Sequence, residues 1–217
     1  MTNNLYQTLL VICLLPFSLS NVMAAASGES MKVDDNHVNS WNRFSDKVLE
    51  LHERQIEGKH IVKTEVPGGY LSNPDFYREV TYKDKNTGRV LSVIQWENAN
   101  PDKVHSIEVF VYNDDGKVVR DYSASYLPGS RNAPVQTLIN LHNYNGGLHA
   151  FRQFDVTQDV IYEYCQGEYN GKQHELRLFE EDLVAADYDS RQLLKSPIYK
   201  ACFNGLQAHI GKYIKPQ

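Results

Sequence analysis

The sequence predicts an α+β fold: an antiparallel meander sheet of about seven strands, with N-terminal, crossover and C-terminal helices packed mainly on one face. Three observations carry this. Short β-rich runs alternate with Gly-containing turns from Phe76 to Phe179, one amphipathic stretch precedes them, and Ser196-Pro197 opens another helix after them.

Residues 1–24, MTNNLYQTLLVICLLPFSLSNVMA, carry no charged side chain, and Leu9 to Leu19 is broken only by Pro16 and Ser18. Such a run is too short for a ~30 Å hydrocarbon core but matches the apolar region of a secretory signal peptide. Cleavage is expected between Ala24 and Ala26. The organisation read from the chain is therefore a signal peptide over 1–24, a flexible polar lead-in over 25–37, and one α+β domain over 38–217. After cleavage no stable transmembrane segment is expected.

The first helix is marked by Trp41, Phe44, Val48 and Leu51 at three- and four-residue steps, with Ser40 as its cap and Gly58 as its stop. Three hairpin-like units follow, loosely repeated, around Asn86-Thr87-Gly88, Asp115-Gly116 and Asn170-Gly171. The last unit holds a third strand before Asp155 to Asp159. A two-residue loop at Asp115-Gly116 sets Val109 opposite Tyr122 and Val111 opposite Arg120. Ile107, Val109, Val111, Val118, Tyr122, Ala124 and Tyr126 then share one face. Glu108, Phe110, Tyr112, Val119, Asp121 and Ser123 share the other. The same construction puts Ile161, Cys165, Leu176 and Leu178 together, with Tyr162, Tyr164, Arg177 and Phe179 opposite. Val135, Leu138, Ile139 and His142 have helical spacing and predict a short crossover helix over 133–142. Pro197 as a first-turn residue predicts a C-terminal helix bearing Ile198, Ala201, Cys202 and Leu206 on one stripe.

Once the apolar leader is removed, Cys165 and Cys202 remain. An even cysteine count in an exported chain predicts a disulfide, and both residues sit on faces expected to be buried. No CxxC spacing points to metal or redox chemistry.

A formal net charge of −5 argues against a nucleic-acid partner and against attachment to anionic lipid. The segment VYNDDGKVVRDY fails as a calcium loop, because Val111 and Tyr122 stand where carboxylates are required. His142 and His149 flank a glycine turn but lack a third ligand, so no metal is expected. Glu180-Glu181-Asp182 reads as a solvated turn. Ser123, Ser125 and Ser130 lack the glycine frame of a nucleophile elbow, and no phosphate-cradling loop is present. No cofactor is indicated.

The leading expectation is an exported bacterial envelope protein, periplasmic or secreted, acting as a non-catalytic binding or accessory module. Its partner would be another protein or an apolar small molecule of the envelope. A helix on a broad antiparallel sheet resembles, at fold level, envelope lipid carriers, and that likeness implies an apolar cavity between helix and sheet. The alternatives are a small periplasmic enzyme with acid/base residues around His142, His149 and Glu163, and an interaction module that pairs through an exposed sheet edge.

Overall fold

The computed structural model describes residues 35–126, 134–184 and 187–217. The leader, most of the lead-in and Ser130 lie outside the described residues.

Helix α1 spans Asp35–Ile56 and begins before the expected cap at Ser40, which lies inside it. No glycine or proline intervenes between Asp35 and Trp41, so the helix extends one further turn over residues expected in the lead-in. Nine strands follow in simple meander order: β1 Ile61–Tyr70, β2 Asn73–Asp84, β3 Val90–Glu97, β4 Val104–Tyr112, β5 Val118–Ser125, β6 Gln136–Asn145, β7 Leu148–Asp155, β8 Val160–Tyr169 and β9 Lys172–Phe179. All neighbours are antiparallel. Short helices α2 (Glu180–Leu183), α3 (Tyr188–Lys195) and α4 (Pro197–Phe203) and a 3-10 turn at Gly211–Ile214 complete the chain. The α+β class is as expected, with nine strands where about seven were read. No described helix is long and apolar enough to cross a membrane.

Two elements account for the difference in strand number. The first is β1, whose Pro67-Gly68-Gly69 reads locally as a breaker yet sits on a sheet edge, where proline leaves no ladder bond unmade on its free side. The second corrects the crossover helix: residues 136–145 form strand β6. Thr137, Ile139 and Leu141 enter the core while Leu138, Asn140 and His142 turn outward. Period-two burial between two paired neighbours overrides the helical spacing of the same apolar residues.

The β4–β5 hairpin keeps the expected register, with Val109 opposite Tyr122 and Val111 opposite Arg120. Its tip is a three-residue loop rather than two. Gly116 N–H donates to the Asn113 carbonyl, Lys117 N–H to the Asn113 side chain, and Gly116 has φ +79°. This is a type I turn closed by a left-handed glycine, and the register shift it imposes leaves Val119 without a cross-strand partner and sets Val118 opposite Tyr112 rather than on the face of Val111. The Asn170-Gly171 turn has both central residues at positive φ, +53° and +74°, as a type I′ turn requires.

Phe44, Val48 and Leu51 of α1 pack on the sheet's inner face with Val80, Ile94, Ile107, Val109, Tyr122, Ile139 and Phe154. A second cluster joins Leu148, Ala150, Cys165 and Leu178 to Cys202 and Phe203 of α4. Ser196 caps α4 by accepting from Tyr199 N–H, with Pro197 in the first turn. Cys165 and Cys202 thereby face each other as a disulfide-compatible pair, their Cα atoms 6.0 Å apart.

Candidate functional site

The core side of the sheet offers little room for a ligand under α1. Val48, Ile94, Val109, Tyr122, Ile139 and Phe154 are all fully buried there. Among the described residues, side chains rather than an apolar cavity occupy the α1–sheet contact where a lipid-carrier likeness implied one. A cleft of about 350 Å³ does open beside α1, but Ser45, Asp46, Lys103 and Tyr126 line it alongside Leu49, Val104 and Ile107.

The opposite face collects the chemistry. Strand register arranges its side chains in three rows across the sheet. Asp121, Asn140, Gln153, Tyr162 and Phe179 face one another in turn; His142, Phe151, Tyr164 and Arg177 form the next row; Tyr144, His149, Gln166 and Glu175 form the third. Simple alternation produces this grid, since residues opposite each other on antiparallel strands share a face.

Within it runs a hydrogen-bond chain. Gln153 Nε2 donates to Asn140 Oδ1 (3.0 Å), and Asn140 Nδ2 donates to Asp121 Oδ1 (2.6 Å). Asp121, buried to 4% exposure, also meets His142 Nε2 at 2.5 Å through Oδ2. A carboxylate only accepts, so Nε2 of His142 carries the proton. Nδ1 of His142 in turn meets Nε2 of His149 at 3.0 Å, a contact in which either ring can supply the shared proton. The chain thus links five polar side chains, from Gln153 through Asn140, Asp121 and His142 to His149.

Aromatic contacts run through the same residues. Tyr144 stacks on His149 at 4.6 Å, His149 on His142 at 5.2 Å, and His142 touches Phe151 at 5.5 Å. Phe151 continues to Tyr162 and Tyr164, and Tyr162 to Phe179 at 5.1 Å. Phe179 ends the run 53% exposed. His149 borders an open cleft of about 530 Å³ with Gly147, Gln166, Gly167, Gln173, His174 and Glu175. Gly167 shapes its wall: at φ +134° a side chain there would be strained and its Cβ would overlap the Gly147 carbonyl. Tyr164 Oη donates to Gln166 and Glu175, and Arg177 donates to the same Oε1 of Glu175.

Electrostatics distinguish the groups. Burial, then the neighbouring His142, push the His149 imidazole below its ordinary pKa, which keeps it neutral near pH 7. Burial, reinforced by Asp121, raises the Glu108 carboxyl to about 7. The outer rim behaves oppositely: the Arg177 guanidinium and the Tyr164 hydroxyl hold Glu175 below the usual carboxylate range.

Of the residues singled out from sequence, His142 and His149 do meet. Glu163 does not join them. It points to the core face, fully buried, and pairs with Arg152, whose guanidinium also donates to the Gln207 carbonyl and so ties down the chain after α4. Phe110, Tyr162 and Tyr164 stand on the uncovered face as expected. Tyr112, two residues on from Phe110 in the same strand, donates its hydroxyl to the Val90 carbonyl. Asp114 and Asp115 are exposed at the hairpin tip, and Glu180 to Asp182 start α2. Among the described residues no three His, Cys, Asp or Glu side chains are placed to hold a metal ion. Sequence reasoning missed the link through Asp121, Asn140 and Gln153. Reading residues 136–145 as a strand would have exposed it, because β6 supplies the register that joins them. Comparisons with protein-family models, with curated proteins and with solved structures return no match.

Proposed function

We propose that the protein is an exported, non-catalytic binding module of the bacterial cell envelope, and that its ligand lies on the uncovered sheet face at the cleft beside His149. The apolar, uncharged first 24 residues and the facing cysteine pair support export. The observation that carries the binding reading is the joint run of rings and hydrogen-bonding groups from Tyr144 to Phe179, left uncovered by helix and ending in an open cleft.

Its chemistry favours a hydroxyl-rich ligand with an apolar ring face, such as an oligosaccharide. Ring faces of Phe151, Tyr162 and Phe179 offer flat apolar area, and nearby amides and the His149 imidazole offer both donors and acceptors. The protein's net charge of −5 disfavours an anionic ligand over a neutral one. Isothermal titration of the mature protein with neutral oligosaccharides tests this. Saturable binding that weakens at least tenfold in both Phe179→Ala and His149→Ala supports the reading. No binding across the panel, or binding untouched by both substitutions, contradicts it.

A further inference from the structure

We propose that two copies of this chain join through the free edge of β1, in antiparallel register about Thr64, to form a closed two-fold dimer. The proposal rests on strand geometry and charge, independently of what the other face binds.

Among the described residues β1 pairs only with β2, so its second side is a sheet edge. The direction of its backbone groups follows from two bonds. Lys85 N–H donates to the His60 carbonyl across the β1–β2 ladder, whereas Asp84 N–H turns the other way, to Arg89. Bonds to β2 therefore fall on His60, Val62, Thr64 and Val66. Ile61, Lys63 and Glu65 turn N–H and C=O outward, and Pro67 turns out a carbonyl alone. Residues 62–67 are all exposed, with Val62 at 43% and Val66 at 49%.

The sequence along this edge, Val62-Lys63-Thr64-Glu65-Val66, is its own complement when read backwards. With Thr64 on the two-fold axis, Lys63 lies opposite the partner's Glu65, and Glu65 opposite the partner's Lys63. Those are also the residues whose backbone groups face outward, so each cross pair exchanges ladder bonds as well. Ile61 N–H reaches the carbonyl of the partner's Pro67. Val62 and Val66 fall opposite the partner's Val66 and Val62 on the uncovered side, giving β-branched cross-strand pairs.

Register is specified by repulsion. Sliding by two residues puts Lys63 opposite the partner's Lys63, or Glu65 opposite the partner's Glu65, directly on the axis. The existing local partners of these charges are weak: Lys63 lies 5.1 Å over the Tyr82 ring, and Glu65 is 3.9 Å from an exposed Arg78. Pro67 ends the new ladder, and an isologous pair uses up the β1 edge, so association stops at two through this surface. The two uncovered faces then become one continuous surface.

Sedimentation velocity on the full mature chain tests the proposal through charge reversal. The wild-type chain is expected to be dimeric. K63E and E65K each set like charges opposite at both cross pairs and are expected to weaken the dimer about tenfold or more. K63E/E65K restores opposite charges and dimerisation, and mixing the two single variants yields a mixed dimer. Thermal melts of each variant confirm that it is folded. A monomeric wild-type chain overturns the proposal, leaving the edge to a foreign strand or to solvent. Single variants as dimeric as wild type, or a double variant no better than either single, also overturn it, because the interface then lies elsewhere.

Discussion

Reducing the Cys165–Cys202 pair is expected to lower stability by about 4 kcal/mol. The two residues are separated by 37 positions, and releasing a loop of that length returns roughly that much entropy to the unfolded chain at 25 °C. Reduction changes no side-chain volume appreciably, so no cavity penalty is superimposed, as it would be for substitution of residues that are each 1% exposed. For a domain of this size the loss corresponds to a fall of about 8–16 °C in Tm. The assay is urea unfolding with and without a phosphine reductant, followed by tyrosine fluorescence. The midpoint should fall, and the slope should rise slightly as the unfolded chain expands. The loss should also be uneven. Hydrogen exchange should quicken in α4 and β9, which meet in the cluster around Cys165, Cys202 and Phe203, before it changes in β3–β6 under α1. A midpoint shift worth under about 1 kcal/mol, or two titratable thiols in untreated unfolded protein, refutes the reasoning.

Three further outcomes follow from the site and its support. Glu108 has a folded pKa near 7 against a reference of 4.5, so its contribution is full below about pH 4.5 and is lost as pH rises through 7. His52 is lowered by burial, and secondarily by Lys63, from 6.5 to about 4, so its contribution is lost as pH falls through that window. The two slopes oppose each other between pH 4.5 and 6.5, and Glu108→Gln should unmask a stability that rises over that range by up to about 3 kcal/mol in urea titrations. An unchanged profile argues against a buried, neutral Glu108. Arg152→Leu strands the fully buried Glu163 carboxylate and should cost about 3–5 kcal/mol, whereas Arg152→Leu combined with Glu163→Leu should recover much of it; equal losses in both would exclude a buried-charge origin. Gly167→Ala demands a strained φ and a collision with Gly147, so a drop of several kcal/mol in thermal or urea unfolding is expected, and a near-neutral effect would show that the cleft wall deforms freely.

Much of the fold was legible because local chemistry and tertiary packing agree along most of the sheet. Alternation fixed the faces of β4, β8, β9 and of β5 from Arg120 onward, and the caps at Gly116, Asn170-Gly171 and Ser196-Pro197 set their ends. Two strands escaped for different reasons. Pro67-Gly68-Gly69 in β1 breaks a local pattern but is tolerated because the missing Pro67 N–H would point away from β2 and so costs the β1–β2 ladder no bond. In and just before β6, Val135, Leu138, Ile139 and His142 satisfy a helical period by coincidence, and only pairing with β5 and β7 decides against it. That single misreading hid the site. His142 and His149 were visible as a pair flanking a turn, but Asp121 meets His142 only through the β5–β6 register. Glu163 stood next to Tyr162 and Tyr164 in sequence, and strand alternation sends it to the other side of the sheet.

The most direct measurement is a map of backbone amide chemical shifts in the ¹⁵N-labelled protein during titration with neutral oligosaccharides. The expected result is a contiguous set of shifts on the β6–β9 face, centred on His149, Tyr164, Gln166 and Glu175, with β1–β3 unmoved. Shifts confined to the cleft beside α1, at Ser45, Leu49 and Tyr126, would contradict the placement of the ligand on the uncovered face.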